Sequence, residues 1–252
     1  MSEHVRIEQD GGVLAITLAR PERRNAITVA MYAGLAQAFE SAANDDSIRL
    51  ITIRGEGQDF AAGNDLQDFL SVRPDDMTDI PVWRLLRALA TCRTPVVAAV
   101  HGNCVGIGTT MLLHCDLVVA DPQTRFSLPF IDLALVPEAA STLLLPQLAG
   151  RRRSARYLLL GEAFGAEEAL AIGLISHIAP EGALEGLTQK LVSSLLAKPA
   201  EALRETQRLL RHAASDAILE RMELESRSFA ERLESDELKE AIASFFAARA
   251  KA

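Results

Sequence analysis

Four short apolar runs, rich in β-branched residues and bounded by Gly, Pro or Asp, recur along the first half of this 252-residue chain: 13–18 (VLAITL), 50–53, 96–100 and 117–120. The first follows the Gly11-Gly12 turn signal and pairs as a hairpin with 5–8. Segments with helical spacing lie between the runs. Residues 27–43 place Met31, Leu35 and Phe39 on one face behind Asn25 as the expected N-cap, and 81–90 and 108–114 read as shorter helices. Strands alternating with helices over the first 180 residues restrict the body to an α/β layer architecture.

The last third obeys a different period. From Ala183 onward only helical spacing appears, over 184–196, 199–214, 217–233 and 237–250, with breaks at Lys198-Pro199 and Ser235-Asp236. Pro199 suits the first turn of a helix, where its missing N–H costs nothing. The apolar residues of this tail, among them Phe229, Leu233, Ile242 and Phe246, are expected to pack on the chain's own body, with a subunit interface as the sharper alternative. The expected division is 1–196 for the body and 197–252 for a helical, oligomerising segment.

Composition removes several functions. With 49% hydrophobic and 24% charged residues the chain is globular rather than disordered, and no apolar run approaches the roughly 20 residues of a membrane span. The net charge is −8, and only four of the 26 basic residues are Lys. Nucleic acid and anionic membranes are therefore not expected partners, since both need a broad positive face. The first ten residues lack the layout of a signal or transit peptide and ARAKA is no peroxisomal address, so the expected location is cytoplasmic. Cys92, Cys104 and Cys115 show no CxxC spacing and read as free structural thiols.

GxSxG, HExxH, GxxxxGK[ST] and GxGxxG are all missing, and no His/Cys/Asp set has metal-ligand spacing, so neither a metal nor a resident cofactor is expected. His101 and His114, in apolar surroundings, read as hydrogen-bonded structural residues. Two loops stand out instead. Phe60-Ala61-Ala62-Gly63-Asn64-Asp65-Leu66 follows the run at 50–53. His101-Gly102-Asn103-Cys104-Val105-Gly106-Ile107-Gly108-Thr109-Thr110 follows the run at 96–100. Small residues between a strand and a helix leave backbone N–H groups free at the helix start, where negative charge is favoured.

The order and spacing of these segments resemble the crotonase superfamily, the enoyl-CoA hydratase and isomerase family. The likeness runs through Leu18-Ala19-Arg20-Pro21-Glu22-Arg23-Arg24-Asn25-Ala26, with Ala19 where the family usually has Asn, then FAAGNDL from Phe60, the stretch from Ala98 to Ala120, Leu159-Leu160-Gly161, Ala166 to Gly173, and the tail from Lys198-Pro199. The resemblance implies an α/β fold, a crotonase-like ββα spiral core with a C-terminal all-helical segment, and a homotrimer or a hexamer built as a dimer of trimers. It implies an acyl-CoA thioester as ligand, coenzyme A entering only as part of the substrate. Carried over residue by residue, the backbone N–H groups of Asn64 and Ile107 form an oxyanion hole for the thioester oxygen. Ala62, Gly63, Asp65, Leu66, Gly106, Thr110 and Phe130 line the substrate, with Arg24, alongside Arg20 and Arg23, near the CoA phosphates. The dipole of a helix starting at Gly108 is expected to assist, and Ile107 must then adopt a negative φ.

The reaction follows from which acids are present. In the hydratases of this family one glutamate falls at the position of Thr110 and a second at that of Phe130; neither residue here can act as a base. The stretch from Ser127 to Ser141 instead resembles the Δ3,Δ2-enoyl-CoA isomerases of the peroxisomal type, whose catalytic glutamate maps to Glu138. Leu135, Val136, Pro137, Ala139 and Ala140 surround it in sequence and are expected to raise its pKa by desolvation. The competing view makes Glu138 an N-terminal acid of a helix over 139–148. Asp65, Asp116 and Asp132 read as structural. Hydratase, thioester hydrolase or decarboxylase chemistry on the same oxyanion hole is the alternative; a non-catalytic acyl-CoA-binding subunit has no need of Glu138. The stretch 69–82, with two prolines and three aspartates, is read as a flap or a surface loop beside the acyl tail.

Overall fold

The computed structural model describes residues 2–69, 80–212 and 215–249. Nine strands are placed among them: β1 (Val5–Asp10), β2 (Val13–Leu18), β3 (Leu50–Gly55), β4 (Val96–Val100), β5 (Asn103–Val105), β6 (Leu117–Ala120), β7 (Arg125–Ser127), β8 (Phe164–Gly165) and β9 (His177–Ile178). The main sheet has the order β1-β2-β3-β4-β6-β9, and a smaller one the order β5-β7-β8. Only β1 and β2 pair antiparallel in the main sheet, across the Gly11-Gly12 turn; β2 to β9 are parallel. Each parallel pairing needs a crossover, which explains why helices separate the apolar runs. β4 (VVAAV) is buried at every position, as a central parallel strand covered on both faces should be.

The helices Val29–Ala42 and Pro81–Ala90 cover one face and join the main core through Met31, Leu35, Phe39, Leu85, Leu86 and Leu89. On the other face Leu50 and Val97 meet Val192, Leu195 and Leu196 of the Leu184–Leu196 helix. The tail packs on this same body. Ile218, Met222, Phe229, Leu238 and Ile242 belong to the main core, and Phe229 sets its ring edge-on to Trp83, centroids 6.2 Å apart. Leu233 packs half-buried against it, while the side chain of Phe246 lies outside the described residues. Among the described residues no helix is long and apolar enough to cross a membrane.

Three local expectations need correction. The N-cap of the first long helix is Thr28, whose side chain accepts from Met31 N at 3.2 Å. Asn25 instead sits at φ 56°, fully buried; its side chain accepts from Arg20 N (2.9 Å) and donates to the carbonyls of Glu56 (2.9 Å) and Asp59 (2.8 Å). Asn is the residue that tolerates left-handed backbone while offering both a donor and an acceptor. The helix expected over 108–114 is a single α turn, Ile107–Thr110, continuing as a 3₁₀ turn, Met111–His114. The helix expected from Ala139 starts at Ser141. Of the stretch 69–82, residues 70–79 lie outside the described residues.

Candidate active site

The motif around Arg20 and the loop around Gly63 are interlocked. Ala62 N donates to Arg24 O (2.9 Å), Ile27 N to Gly63 O (2.8 Å) and Asp65 N to Ile27 O (2.9 Å). Because Ile27 uses the polar groups on either side of Asn64, the Asn64 N–H faces away from that edge, and it meets no acceptor among the described residues. Arg20 clamps the far end: Nη1 is 2.7 Å from Asp65 Oδ2 and 3.0 Å from Ala26 O. Burial opposes the Asp65 charge, but the hydrogen bonds and charge of Arg20, with the N–H groups of Asp68 and Gln67, hold its carboxyl below the usual range. Arg20 is thus committed to the loop and does not line the cavity. Arg23 and Arg24 do.

The second loop lies directly against the first. Val105 N donates to Ala61 O (2.9 Å) and Ala61 N to Asn103 O (3.1 Å). Gly106 turns the chain at φ 54°, ψ −118°, outside the range of ordinary residues. A Cβ on Gly108 would stand 2.9 Å from the Ala61 side chain, so glycine there lets the two loops touch. Ile107, whose φ is not positive, presents an N–H with no acceptor among the described residues. With only one α turn behind it, the pull on an anion comes from these first N–H groups rather than from a long dipole.

Asn64 and Ile107 both line a cavity of about 1060 Å³. Arg23, Arg24, Ala62, Gly63, Asp65 and Leu66 line it, as do Gly106, Phe130, Asp132 and Leu135. Ala241 and Ser244 of the Asp236–Arg249 helix also line it, so the tail closes part of the site. That contribution could have been sought only in three dimensions, since neither residue carries a chemical signature.

Glu138 and Thr110 are close in sequence to the lining residues Leu135 and Ile107 but are not themselves among the residues that line the cavity. Glu138 is 5% exposed and Thr110 fully buried, and the Thr110 hydroxyl donates to Glu138 Oε1, one turn beyond Ile107. Oε2 has no hydrogen-bond partner among the described residues. Burial lifts the Glu138 carboxyl to a pKa of about 8, against the Thr110 hydrogen bond and with help from the charge of Glu225. The Tyr32 hydroxyl bonds to Asn64 Oδ1 and senses the same carboxyl: burial first, and the charge of Glu138 second, raise its pKa well above the usual value. Tyr32 is a site neighbour that helical spacing alone marks as core.

Glu138 precedes two alanines in left-handed backbone, Ala139 (φ 62°) and Ala140 (φ 55°), a conformation costing about 1–2 kcal/mol per residue. The acid at the start of the following helix is Glu225, not Glu138. It accepts from Ala140 N (2.7 Å), Thr142 N (2.9 Å) and Thr142 Oγ1 (2.6 Å). His114 Nε2 donates to Ala139 O at 2.8 Å; burial depresses its pKa to about 4, which keeps the ring neutral. His101 likewise bonds a backbone carbonyl, Gly57 O, at 2.9 Å. Asp116 accepts from Val96 N (2.8 Å) and Arg211 Nη2 (3.0 Å), away from the cavity. The three thiols are unpaired, and burial raises all three pKa values.

The family profile described as enoyl-CoA hydratase/isomerase matches residues 8–251. The chain belongs to the enoyl-CoA hydratase/isomerase family. It is 33% identical to the 1,2-epoxyphenylacetyl-CoA isomerase of Escherichia coli K12 over 89% of this chain and 88% of that protein, and 32% identical to the 2,3-dehydroadipyl-CoA hydratase of the same strain over 99% and 97%. Among solved structures, an enoyl-CoA hydratase/isomerase from Pseudoalteromonas atlantica T6c superposes with a TM-score of 0.91 at 37% identity, covering 97% of each chain. The crotonase fold expected from the motifs is therefore the observed one, and the family acts on acyl-CoA thioesters.

Proposed function

We propose that the protein is a Δ3,Δ2-enoyl-CoA isomerase of unsaturated fatty-acyl chain degradation, with Glu138 as its single acid–base group. Near-equal identity to an isomerase and to a hydratase leaves the choice to the site. The observation that carries the reading is the Thr110–Glu138 pair: where a hydratase acid would stand there is a hydroxyl, it is spent on Glu138, and the other hydratase position is the apolar Phe130.

In the proposed reaction the thioester oxygen of a 3-enoyl-CoA accepts from Asn64 N–H and Ile107 N–H. The Glu138 carboxylate removes a proton from C2, and the electron pair delocalises into the carbonyl, giving a dienolate held by the two donors. The Glu138 carboxyl then delivers its proton to C4, and the double bond shifts from C3–C4 to C2–C3. Fixed donors of this kind are typically worth on the order of 10²–10³ in rate each, and a base with a pKa near working pH suits both transfers. Arg23 and Arg24 at the cavity edge serve the CoA phosphates. Assembly as a trimer or hexamer would cover exposed leucines such as Leu159 and Leu160; a 27.3 kDa mass in light scattering at micromolar concentration would contradict it.

The test is to offer the protein 3-hexenoyl-CoA and crotonyl-CoA separately and follow the conjugated-thioester absorbance. A rise with the first and a steady signal with the second are expected. Rapid loss of the crotonyl-CoA signal would make the protein a hydratase instead.

A further inference from the structure

We propose that Glu225 is a positioning residue for the reaction, its carboxylate clamping the Ala139-Ala140 peptide so that the preceding Glu138 keeps its aim. The inference rests on Glu138 being the base.

Ala139 O and Ala140 N–H belong to one peptide unit, and each is held from a different element. His114, which follows Ile107 and Thr110 in the chain, donates to the oxygen at 2.8 Å; Glu225, from the Ser215–Leu233 helix, accepts from the nitrogen at 2.7 Å. Two contacts on opposite ends of a planar group fix its orientation. Alanine supplies neither the glycine-like freedom nor the side-chain bond that would favour φ 62° and 55° on its own, so the contacts from His114 and Glu225 add to the turn's own Ser141 N–H to Glu138 O bond (3.1 Å) in restraining it. Glu225 is 5% exposed and its other oxygen accepts from both Thr142 N and Thr142 Oγ1. Arg221 Nη1 reaches Thr142 Oγ1 at 3.1 Å from the same helix. A buried carboxylate with three donors from one turn, on a residue 85 positions away from Ala140, is specific to that turn's geometry.

Glu225 also acts on Glu138 as a like charge, which separates reach from charge experimentally. The charged or titratable groups facing the pair are Arg221 on the same helix, His114 across the peptide and Tyr32 beside Glu138. Glu225→Gln keeps the size but sets an NH₂ donor against N–H and O–H donors; Glu225→Asp keeps the charge but falls one methylene short. On 3-hexenoyl-CoA both should lose about 10²-fold in kcat, the scale of a 1 Å misplacement, with KM within a factor of about two. The acid limb of the pH profile should move to lower pH in Glu225→Gln and stay in place in Glu225→Asp. Thr142→Val, which removes one of the three donors and leaves the backbone intact, should show a smaller fall in kcat, and serves as the reading should the Glu225 variants not fold. Wild-type kcat in the folded variants, or a loss confined to KM, overturns the positioning role. Glu138→Gln, run alongside, separates the two ideas: if it keeps turnover the base is wrong, and if it is inactive while the Glu225 and Thr142 variants match wild type, only the positioning role fails.

Discussion

The hydroxyl of Thr110 donates to the carboxyl of Glu138, 28 residues further along the chain, and both residues are buried. The bond favours the charged form, so it lowers the Glu138 pKa that burial has raised. Glu138 must be ionised to remove a proton, and kcat/KM for a 3-enoyl-CoA is expected to climb with pH along an acid limb near 8. Thr110→Val removes the bond at constant shape and should move that limb upward. A limb that stays put or moves down would show that the hydroxyl does not act on the base.

Folding stability should carry the opposite sign of the same effect. A carboxyl whose pKa is about 8 folded and 4.5 unfolded holds a proton in the native state that the unfolded chain has already released. Stability from this group is therefore full below pH 4.5 and is lost as pH rises to 8, on the order of a few kcal/mol. Relative to Glu138→Gln, which cannot ionise, the wild type should lose denaturation midpoint between pH 5 and pH 9. His114, with its depressed pKa, works the other way below pH 6.5, but it is common to both proteins. A constant difference across that range would contradict the buried, raised carboxyl.

One carboxyl performing both transfers predicts label retention. With a 3-enoyl-CoA deuterated at C2, part of the deuterium should appear at C4 of the 2-enoyl product, because Glu138 is only 5% exposed and exchanges slowly with solvent. Mass spectrometry reads this directly, and complete washout at the earliest turnover would point to a second, solvent-exchanged group.

Asp65 is held by Arg20 at 2.7 Å, both side chains less than a fifth exposed, and the pair braces the loop bearing Asn64. Asp65→Ala leaves a mostly buried guanidinium with only the Ala26 carbonyl and the exposed Glu22 carboxylate, 3.9 Å away, and should cost about 3 kcal/mol, read as a lower urea midpoint. Since the Asp65 pKa is lowered on folding, its contribution is present at neutral pH and fades as pH falls through the folded value. An unchanged midpoint at pH 7 would mean the pair braces nothing.

Much of this was legible in the chain. The alternation of β-branched runs with helical spacing located β2, β3, β4 and β6, and the small-residue segments marked the two loops that line the cavity, because those signals are local. The strands of the small sheet are two or three residues long, too short for any period to register. Asn25 reads as an N-cap because Asn often is one; its buried bonds to Glu56 and Asp59 depend on a loop 30 residues away. The turn at Ala139-Ala140 was hidden for a stronger reason. Two alanines before a helix look like its first turn, and the contacts that Glu225 and His114 make with their shared peptide are brought in by the fold from distant parts of the chain.

The most direct measurement is turnover of 3-hexenoyl-CoA by Glu138→Gln beside the wild type, with fold and acyl-CoA binding checked in parallel. Conjugated-thioester formation is expected to fall by at least about 10³-fold while binding persists, the loss expected of a sole acid–base group. Near wild-type turnover in the folded variant would contradict it.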